Sequence, residues 1–518
     1  MGETSMRMAT PVQDPTTLWA SFARRAALAA DRPALTFEGR TWTYAAMALA
    51  AERFAAMLYE LGVRKGDRVG FLGFNRPECL FGLLAAGSLG AIFVPFNFRL
   101  TAAELGKLIV DADVHTLIVG TEHLQLIEPM RAELPCREYI HAGGPAPDWL
   151  SLDGFLARPS EPPPRAEVQA NDIAALVYTS GTTGVPKGAM LTHGNLWANN
   201  LNWILCYGIT AEDKLLTTAP MFHVGGLFVL LSPLLIMGGE VVLHRGFEAG
   251  AVIAAIEEHR ITMTFSVPTM MLMLSQNADF DAADLSSLRL LIVGGAPSPE
   301  SLLRLYASRH IAVSHTYGMS EVVSLCTFLE TASAMDRLNS AGRAVPLSEV
   351  KLIAADGKTI HQAGIKGEIC VRGATVMAGY WRRPEATAAA LGSDGWFRTG
   401  DVGSLDDDGY LYVNDRLKDM IISGGENIYP AEIESALQEH PEILQAAVIG
   451  RPDPQWGERV CAVLVLKPGA AVTIETLQAF CGPRLARYKI PKELKVAAEL
   501  PLSGAGKVLK QVLRESLA

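Results

Sequence analysis

An apolar stretch that runs directly into a loop of small residues is the feature that most constrains this chain. Residues 172–178 (Asp-Ile-Ala-Ala-Leu-Val-Tyr) have the pattern of a buried strand. Residues 179–188 follow as Thr-Ser-Gly-Thr-Thr-Gly-Val-Pro-Lys-Gly. Small residues let backbone N–H groups converge on an anion, hydroxyls add donors, and Lys187 adds a positive charge. The segment therefore predicts a strand-ending loop that holds a polyphosphate.

This loop differs from the phosphate loop of common nucleotide hydrolases, which has the spacing G-x-x-x-x-G-K-[ST]. The lysine here lies instead in Gly-Val-Pro-Lys-Gly. A flexible Gly/Thr linker is the alternative interpretation. Linkers seldom follow a buried strand directly or place one lysine between proline and glycine, so the phosphate-binding interpretation is favoured.

Length and charge limit the classes of protein to consider. A chain of 518 residues is too long for one core, so two or more domains are expected. The net charge of −10 disfavours a general binder of nucleic acid or of membrane surfaces. An acidic chain can still contain a local basic pocket for nucleotide and cofactor phosphates.

Cysteines and apolar stretches indicate a cytoplasmic protein. The seven cysteines are scattered without a CxxC pair, which favours reduced thiols over disulfides or a zinc site. Residues 1–15 lack the apolar core of a signal peptide. The longest apolar stretch, residues 224–237, is short for a membrane span and contains Pro233. We expect it to form a buried helix broken near its middle, and we expect no stable membrane anchor.

Strand and helix patterns alternate over most of the first 310 residues, which predicts a parallel sheet with helices on its faces. From about residue 340, short segments with frequent glycine predict a small antiparallel β unit. Beyond Arg416 the pattern is mixed α+β. Residues 142–170 are rich in Pro and Gly and predict an exposed connection, which either divides two subdomains or crosses the surface of one.

The loop at 178–188 resembles the phosphate loop of the adenylate-forming superfamily, which comprises acyl-CoA synthetases, peptide-synthetase adenylation domains and beetle luciferases. The resemblance spans residues 15–515, and the other diagnostic segments occur in family order. They are Pro220-Met-Phe-His-Val-Gly-Gly226, Gly294-Gly-Ala-Pro297, Thr316-Tyr-Gly-Met-Ser-Glu321, Arg398-Thr-Gly-Asp401, the run from Asp415 to Glu432, and Pro501-Leu-Ser-Gly-Ala-Gly-Lys507.

The resemblance implies how ATP and Mg²⁺ are held. Glu321 would help hold Mg²⁺, because a carboxylate beside a triphosphate requires a cation between them. A solvated glutamate at a helix start is the alternative for Glu321. The implied nucleotide contacts are the loop residues Thr179, Ser180, Gly181, Thr182, Thr183 and Gly184 with Lys187, the adenine turn Gly295, Ala296 and Pro297, and the segment Thr316, Tyr317, Gly318, Met319 and Ser320 along the adenine and α-phosphate.

The remaining motifs imply roles by the same resemblance. Asp401 would bind the ribose, since a carboxylate can accept both ribose hydroxyl protons. Arg416 would contact ATP. His223 would gate the acid site, for which a packed core histidine is the alternative. Amino-acid-activating relatives usually carry Phe-Asp where this chain has Phe222-His223, so an amino-acid substrate is disfavoured.

Two further motifs imply a domain rotation. Lys418 would be the hinge between a large domain, residues 1–415, and a small mobile domain, residues 416–518. Gly424 and Gly425 would line the path of the thiol in the second half-reaction. Lys507 would be the catalytic lysine of the first. Many relatives have Thr before this Gly-Lys where the chain has Ala505; the lysine and its preceding glycine are kept, so we expect little effect.

Taken together, the sequence predicts an α/β fold: a large N-terminal domain of stacked, mainly parallel sheets with helices and a small β unit, followed by a small mobile α+β domain. The resemblance implies an ATP-dependent acyl-CoA synthetase that uses Mg²⁺ and coenzyme A. Segments 186–195 and 415–432 look like those of bacterial feruloyl-CoA and fatty-acyl-CoA synthetases. The acid is expected to be an apolar monocarboxylate, aromatic or aliphatic.

Three other functions remain open at this point. A free-standing adenylating enzyme that loads a carrier protein shares every motif. A luciferase-like oxygenase would consume O₂, and a catalytically inactive nucleotide-binding partner would lack turnover. The candidate acid-pocket segments are residues 203–207, 223–227, 294–296 and 322–325, which are mostly apolar. The sequence leaves the identity of the acid and the oligomeric state open, a homodimer being one option.

Overall fold

A computed structural model describes residues 14–158, 161–164, 166–179, 186–295, 300–337, 340–354, 356–416, 421–428, 430–501 and 510–517. Its strands form four sheets. In chain order the strands are β1 (Pro33–Phe37), β2 (Arg40–Thr43), β3 (Arg68–Leu72), β4 (Ile92–Phe96), β5 (Thr116–Gly120), β6 (Glu138–Ala142), β7 (Leu150–Ser151), β8 (Ile173–Thr179), β9 (Lys187–Thr192), β10 (Lys214–Thr217), β11 (Glu240–Leu243), β12 (Met263–Ser266), β13 (Leu290–Val293), β14 (Val313–Tyr317), β15 (Thr327–Phe328), β16 (Arg343–Ala344), β17 (Ser348–Ile353), β18 (Thr359–Ile360), β19 (Gly367–Gly373), β20 (Phe397–Leu405), β21 (Leu411–Arg416), β22 (Ile421–Ser423), β23 (Glu426–Ile428), β24 (Ile443–Asp453), β25 (Gly457–Leu466) and β26 (Glu493–Val496).

Helices connect most of the parallel strands. In chain order they are α1 (Leu18–Leu28), α2 (Tyr44–Glu60), α3 (Pro77–Leu89), α4 (Ala102–Ala112), α5 (Leu124–Ile127), α6 (Leu152–Ala157), α7 (His193–Tyr207), α8 (Val224–Leu227), α9 (Leu231–Met237), α10 (Ala249–His259), α11 (Pro268–Ser275), α12 (Glu300–Ser308), α13 (Pro384–Ala390), α14 (Pro430–Gln438), α15 (Ile474–Cys481) and α16 (Lys510–Ser516).

Local signals in the sequence set several helix starts. The Thr43 hydroxyl accepts a hydrogen bond from the backbone N–H of Ala46 and caps α2. At α4, Thr101 and Glu104 form a reciprocal capping box. The apolar stretch 224–237 forms two short helices, α8 and α9, which confirms the expected break.

The first sheet has the order β7-β6-β5-β3-β4-β8-β9, and its pairs are parallel except for the last, which is antiparallel. Helices α2 and α3 contribute to the core on one of its faces and α4 to the core on the other. Coverage of both faces explains why the central strands β4 and β5 are buried along their whole length. Since β6 and β8 belong to this one sheet, the segment between them does not divide two subdomains. Part of it is not an exposed connection as expected, because β7 pairs with β6 and Leu152 of α6 is buried.

The second sheet has the order β16-β15-β14-β13-β12-β10-β11-β1-β2. It is parallel from β14 to β1 and antiparallel at both ends. The hairpin β1–β2 extends the second sheet, whereas β3, the next strand in the chain, belongs to the first. A core cluster that includes Phe22, Tyr44, Trp203 and Phe228 packs the helices between the two sheets.

The remaining strands form the two smaller units that the sequence predicts. A five-stranded antiparallel sheet, β18-β17-β19-β20-β21, is the small β unit. Strands β22–β26 with helices α14 and α15 form the α+β unit, which has its own apolar core around Val448 and Leu464. The fold class and the large-plus-small domain organisation are those predicted. Within the described ranges, no helix is long and apolar enough to cross a membrane.

Candidate active site

The phosphate-loop motif begins at the end of β8 and ends at the start of β9, which is an edge strand of the first sheet. Thr179 and Lys187 pair across the antiparallel register of these two strands. Ser180, Gly181, Thr182, Thr183 and Gly184 lie outside the described residues.

Glu321 reaches this hairpin from the second sheet. Its Oε1 atom accepts a 3.2 Å hydrogen bond from the hydroxyl of Thr179 and a 3.0 Å hydrogen bond from the hydroxyl of Tyr380. The backbone oxygen of Glu321 also accepts from the N–H of Met377 at 2.8 Å. The carboxylate therefore lies beside the loop that the sequence assigns to phosphates and is not a solvated helix-start glutamate.

Tyr380 is placed by backbone pairing along β9. The N–H of Met190 donates to Gly379 O at 2.9 Å, and the N–H of Trp381 donates to Gly188 O at 2.8 Å. The ammonium of Lys187 lies 5.1 Å from the centre of the Tyr380 ring. An ammonium at this distance over an aromatic face is attracted to it, which keeps the lysine on the same side of the hairpin as Glu321.

Strand β14 delivers Thr316 and Tyr317 to the same region. The Tyr317 hydroxyl donates a 2.8 Å hydrogen bond to Oδ2 of Asp401, which is 3% exposed. Burial and the neighbouring Asp401 charge raise the pKa of Tyr317 well above its usual value, so the phenol stays protonated. The predicted adenine segment and the predicted ribose carboxylate are therefore in direct contact.

Close backbone packing shapes the turn after β14. A Cβ on Gly318 would overlap the carbonyl of Ser324, so only glycine fits there. Ser320–Val322 forms a single turn of 3₁₀ helix that carries Glu321, and Met319 accepts from the N–H of Val322 at 3.2 Å. This packing fixes the direction in which the Glu321 side chain leaves the backbone.

The turn after β13 lies next to β14. Gly295 has a positive φ of 83°, a conformation that favours glycine, and an added Cβ would meet only Val267 at 3.7 Å. A flat ring can therefore approach this backbone closely. Ala296 and Pro297 lie outside the described residues.

His223 lies at a contact between the large and small units. Its ring centre lies 4.3 Å from that of Phe222, and Nε2 lies 3.7 Å from Oε2 of Glu426. Burial, with a smaller effect of the Arg99 charge, lowers the pKa of His223 to about 4. The ring is therefore neutral at pH 7, although the side chain is partly exposed.

The double-glycine turn of the small unit approaches this gate. Gly424 and Gly425 both have positive φ, 59° and 79°, and form the tight turn between β22 and β23. The next residue, Glu426, forms an ion pair with Arg99 of the large unit. The turn predicted to line the thiol path is therefore anchored beside the predicted acid-site gate.

The other predicted residues are placed less completely. The backbone of Arg416 pairs with that of Asp401 in the five-stranded sheet, so the two positions adjoin. Lys418 and Lys507 lie outside the described residues. The domain boundary at 415/416 and the roles of the site residues stay predictions.

Two of the predicted acid-pocket segments, residues 203–207 and 322–325, are packed against each other in this structure. Trp203 and Val323 are fully buried, and the Trp203 indole donates a 3.0 Å hydrogen bond to the Ser324 hydroxyl. That hydroxyl in turn donates to the side-chain oxygen of Asn199 at 2.7 Å. Residues 203–207 and 322–325 therefore form an apolar wall with a small internal polar network.

Sequence reasoning missed several residues of this region. Tyr380 contacts Glu321, but an aromatic residue after glycine carries no signal of such a contact. His315, two residues before Tyr317, is half-buried, and its buried Nε2 atom has no hydrogen-bond partner among the described residues. Burial lowers its pKa to about 4. A lone histidine in a strand pattern gave no reason to select it.

Comparisons with known proteins give the class. The family model described as AMP-binding enzyme matches residues 22–381, and the AMP-binding enzyme C-terminal domain matches residues 432–507. The chain therefore belongs to the AMP-binding, adenylate-forming enzyme family. A feruloyl-CoA synthase from Amycolatopsis sp is 43% identical over 95% of this chain and 97% of its own length. The long-chain-fatty-acid–CoA ligase FadD13 from Mycobacterium tuberculosis is 39% identical over 91% and 92%. The protein is an AMP-forming acid–thiol ligase, as predicted.

Two structures of o-succinylbenzoate CoA synthetase (MenE) from Bacillus subtilis, both 34% identical, differ in their similarity to this chain. A double mutant bound to a CoA product analogue gives a TM-score of 0.86 over 96% of this chain and 98% of that one. The complex with the acyl-adenylate intermediate gives 0.71 over 95% and 97%.

Proposed function

We propose that this protein is an ATP-dependent acyl-CoA synthetase for an apolar monocarboxylic acid, either aromatic and hydroxycinnamate-like or a fatty acid. The observation that carries the proposal is the contact of Glu426, next to the double-glycine turn, with both His223 and Arg99. It brings the predicted thiol path of the small unit to the predicted acid gate of the large one. Similarity to the MenE complex with a CoA product analogue supports this orientation as the one for thioester formation.

The first half-reaction would take place between the hairpin and β14. The acid carboxylate attacks the α-phosphorus of ATP, the bond to pyrophosphate breaks, and acyl-adenylate forms. Two anions must approach each other, so positive charge and donors are needed where charge develops. Lys187, Thr179 and the 180–184 loop would supply them, together with Lys507.

The described residues fit the nucleotide. The open backbone at Gly295 and the orphan Nε2 of His315 leave a surface and an unused polar atom beside Tyr317. The Tyr317–Asp401 pair presents a buried carboxylate where the ribose hydroxyls would bind. We assign ATP to this region, with Arg416 as a further contact.

Glu321 would hold Mg²⁺ together with phosphate oxygens. No cluster of three or more metal-ligating side chains occurs in the described part of the chain, so the carboxylate alone is the protein ligand we assign. An oxygen ligand with the remaining positions left to phosphate and water is the usual magnesium arrangement. When bound, the ion would neutralise charge on the phosphates.

The second half-reaction would follow rotation of residues 416–518 about Lys418. The sulfur of CoA attacks the acyl carbon, the bond to AMP breaks, and the thiol proton passes to solvent. Gly424 and Gly425 would admit the narrow pantetheine arm because they lack side chains. Neutral His223 would border the acyl group, and the apolar wall around Trp203 and Val323 disfavours a second carboxylate on the acid.

Free thiols accord with a reducing compartment. All seven cysteines fall within described residues and are unpaired. We therefore propose a cytoplasmic location.

The test is AMP and acyl-CoA formation from ATP, Mg²⁺ and CoA with a panel of short, medium and long fatty acids, benzoates and hydroxycinnamates. Acid-dependent AMP with a thioester product is the expected result. Pyrophosphate release without any CoA thioester would favour carrier-protein loading, and O₂ uptake would favour an oxygenase. Absence of turnover with every acid would favour the inactive-partner alternative.

A further inference from the structure

Lys489 is a buried lysine between the small and large units. It is 3% exposed and lies in the short 3₁₀ turn Arg487–Lys489. Its ammonium is 2.6 Å from Oε1 of Glu432 in α14 and 3.1 Å from Oε1 of Glu104 in α4. One carboxylate belongs to the same unit as the lysine, and the other belongs to the large unit.

Glu104 is held in place independently of Lys489. Its second oxygen, Oε2, accepts hydrogen bonds from the N–H and hydroxyl of Thr101 at 2.8 and 2.9 Å. The capping box therefore orients the carboxylate before any partner arrives. The other oxygen, Oε1, faces the ammonium of Lys489 in the small unit.

Two other contacts join the same surfaces. The side-chain amide of Asn97 donates to the hydroxyl of Tyr488 at 3.2 Å, and Arg99 pairs with Glu426. The large-unit partners in these three contacts come from residues 97–104, between the end of β4 and the first turn of α4. Lys489 is a buried cation at this contact between the two units.

The charges of the cluster depend on each other. Burial and the nearby Glu104 raise the pKa of Glu432, while Lys489 opposes this rise. Oε2 of Glu432 is buried without a hydrogen-bond partner among the described residues. Without the ammonium, two buried carboxylates would face each other and this contact would be unfavourable.

We propose that Glu104 and Lys489 are positioning residues that hold the small domain in the orientation for thioester formation, with no part in adenylate formation. The inference rests on the proposed function, because it assigns this orientation to the second half-reaction. The better match to the MenE complex with a CoA product analogue than to its acyl-adenylate complex supports that assignment. A rotation for the first half-reaction would separate Glu104 from Lys489 and return both to water.

The test separates the two half-reactions in Lys489→Met and Glu104→Gln. Glutamine keeps the capping box, since it can accept from Thr101 as glutamate does. We expect Lys489→Met to slow thioester formation from supplied acyl-adenylate and CoA by about tenfold or more, because a buried partner is lost. Glu104→Gln should slow it by about threefold, since the Lys489–Glu432 pair remains. ATP–pyrophosphate exchange should stay within about twofold of wild type in both, because the contact is absent from that step.

Three further variants sharpen the result. Lys489→Arg keeps the charge and should recover most of the thioester rate. Lys495→Met makes the same chemical change at a half-exposed lysine of the same unit and should change neither step. The double variant Lys489→Met/Glu104→Gln should be slowed by less than the product of the two single effects, because both changes remove one contact.

Hydrogen exchange tests the contact without a substrate. In the ligand-free enzyme, peptides covering residues 97–104 and 487–490 should exchange faster in Lys489→Met than in wild type or Lys495→Met. Equal slowing of both half-reactions, or an unchanged thioester rate in Lys489→Met, would overturn the proposal. If the wild type made no acyl-CoA from any acid, the proposed function would fail instead. Unchanged hydrogen exchange of these peptides in Lys489→Met would separately refute the contact.

Discussion

The hydroxyl of Tyr317 donates a 2.8 Å hydrogen bond to Oδ2 of Asp401, which joins the end of β14 in the nine-stranded sheet to β20 in the small β unit. The two residues are 84 positions apart in the chain. Their contact fixes where an adenine segment and a ribose carboxylate meet, and it therefore ties nucleotide affinity to the packing of the β unit on the sheet.

Tyr317→Phe should weaken nucleotide binding. The change removes a hydrogen bond to a buried carboxylate, which is worth about 1.5–3 kcal/mol. We expect the KM for ATP to rise by about tenfold or more, with the thioester step from supplied acyl-adenylate less affected. Tyr139→Phe is the control. It also removes a tyrosine hydroxyl, one that donates to the backbone oxygen of Arg131 outside the predicted site, and it should leave the KM for ATP unchanged. Equal effects of the two variants would contradict the ribose-site assignment.

Glu321→Gln should reduce AMP formation by about a hundredfold or more, because an amide is a poor ligand for Mg²⁺ and the charge beside the phosphates is lost. The Mg²⁺ concentration for half-maximal rate should rise in parallel. Initial rates over a Mg²⁺ titration measure both. Glu330→Gln, at a half-exposed residue that pairs with Arg343, is the matched control and should behave as wild type. A variant with normal rates at low Mg²⁺ would exclude Glu321 as the ligand.

Lys507→Ala should lower the rate of adenylate formation by about a hundredfold or more. The rate of thioester formation from supplied acyl-adenylate should stay largely unchanged. The expectation follows from the Gly506-Lys507 motif at the end of the small unit. ATP–pyrophosphate exchange and single-turnover thioester formation give the two rates. Lys495→Ala is the control for loss of a lysine in the same unit. A similar loss in both steps would contradict the assigned role.

Gly318→Ala should both destabilise the protein and inactivate it. The added methyl would overlap the carbonyl of Ser324, so the turn carrying Glu321 must move, at a cost of about 2 kcal/mol or more. Gly144→Ala adds the same atom where nothing lies within 4 Å and should be neutral. Thermal unfolding and AMP formation are measured on both variants. A stable, fully active Gly318→Ala enzyme would show that the turn can relax.

Acid should destabilise the protein through His193. Burial lowers the pKa of this residue from 6.5 to about 4, and its Nδ1 accepts a 3.1 Å hydrogen bond from the N–H of Leu18, so the folded protein holds it neutral. Between pH 6.5 and 4 the unfolded chain binds the extra proton, and stability falls as pH falls, by up to about 3 kcal/mol for this group. Above pH 6.5 the group contributes no pH dependence.

His193→Asn tests this linkage, because asparagine keeps an acceptor for Leu18 but does not titrate. Urea midpoints at pH 7, 5.5 and 4.5 should fall less steeply with acid in the variant than in wild type. His223 and His315, whose pKa values are also lowered to about 4, leave part of the slope in place. Identical slopes in the two proteins would show that His193 is not buried as a neutral ring.

Local patterns determined the elements of this protein. The alternation of strands and helices and the break in residues 224–237 are set by neighbours within a few positions, so they could be predicted. The order of the motifs likewise indicated the family and the residues of the site. Thr179, Glu321, Tyr317 and Asp401 were selected from the sequence, and the structure brings them together in two adjoining pairs.

Only the tertiary structure decided which distant residues meet. The β1–β2 hairpin joins the nine-stranded sheet, Tyr380 reaches Glu321, and Lys489 lies between Glu104 and Glu432. Each contact depends on which sheet edge or buried face is left free after other elements have packed. Apolar periodicity predicts that a face is buried but does not predict which element packs against it. Contacts between residues tens to hundreds of positions apart are therefore fixed only when the whole chain has folded.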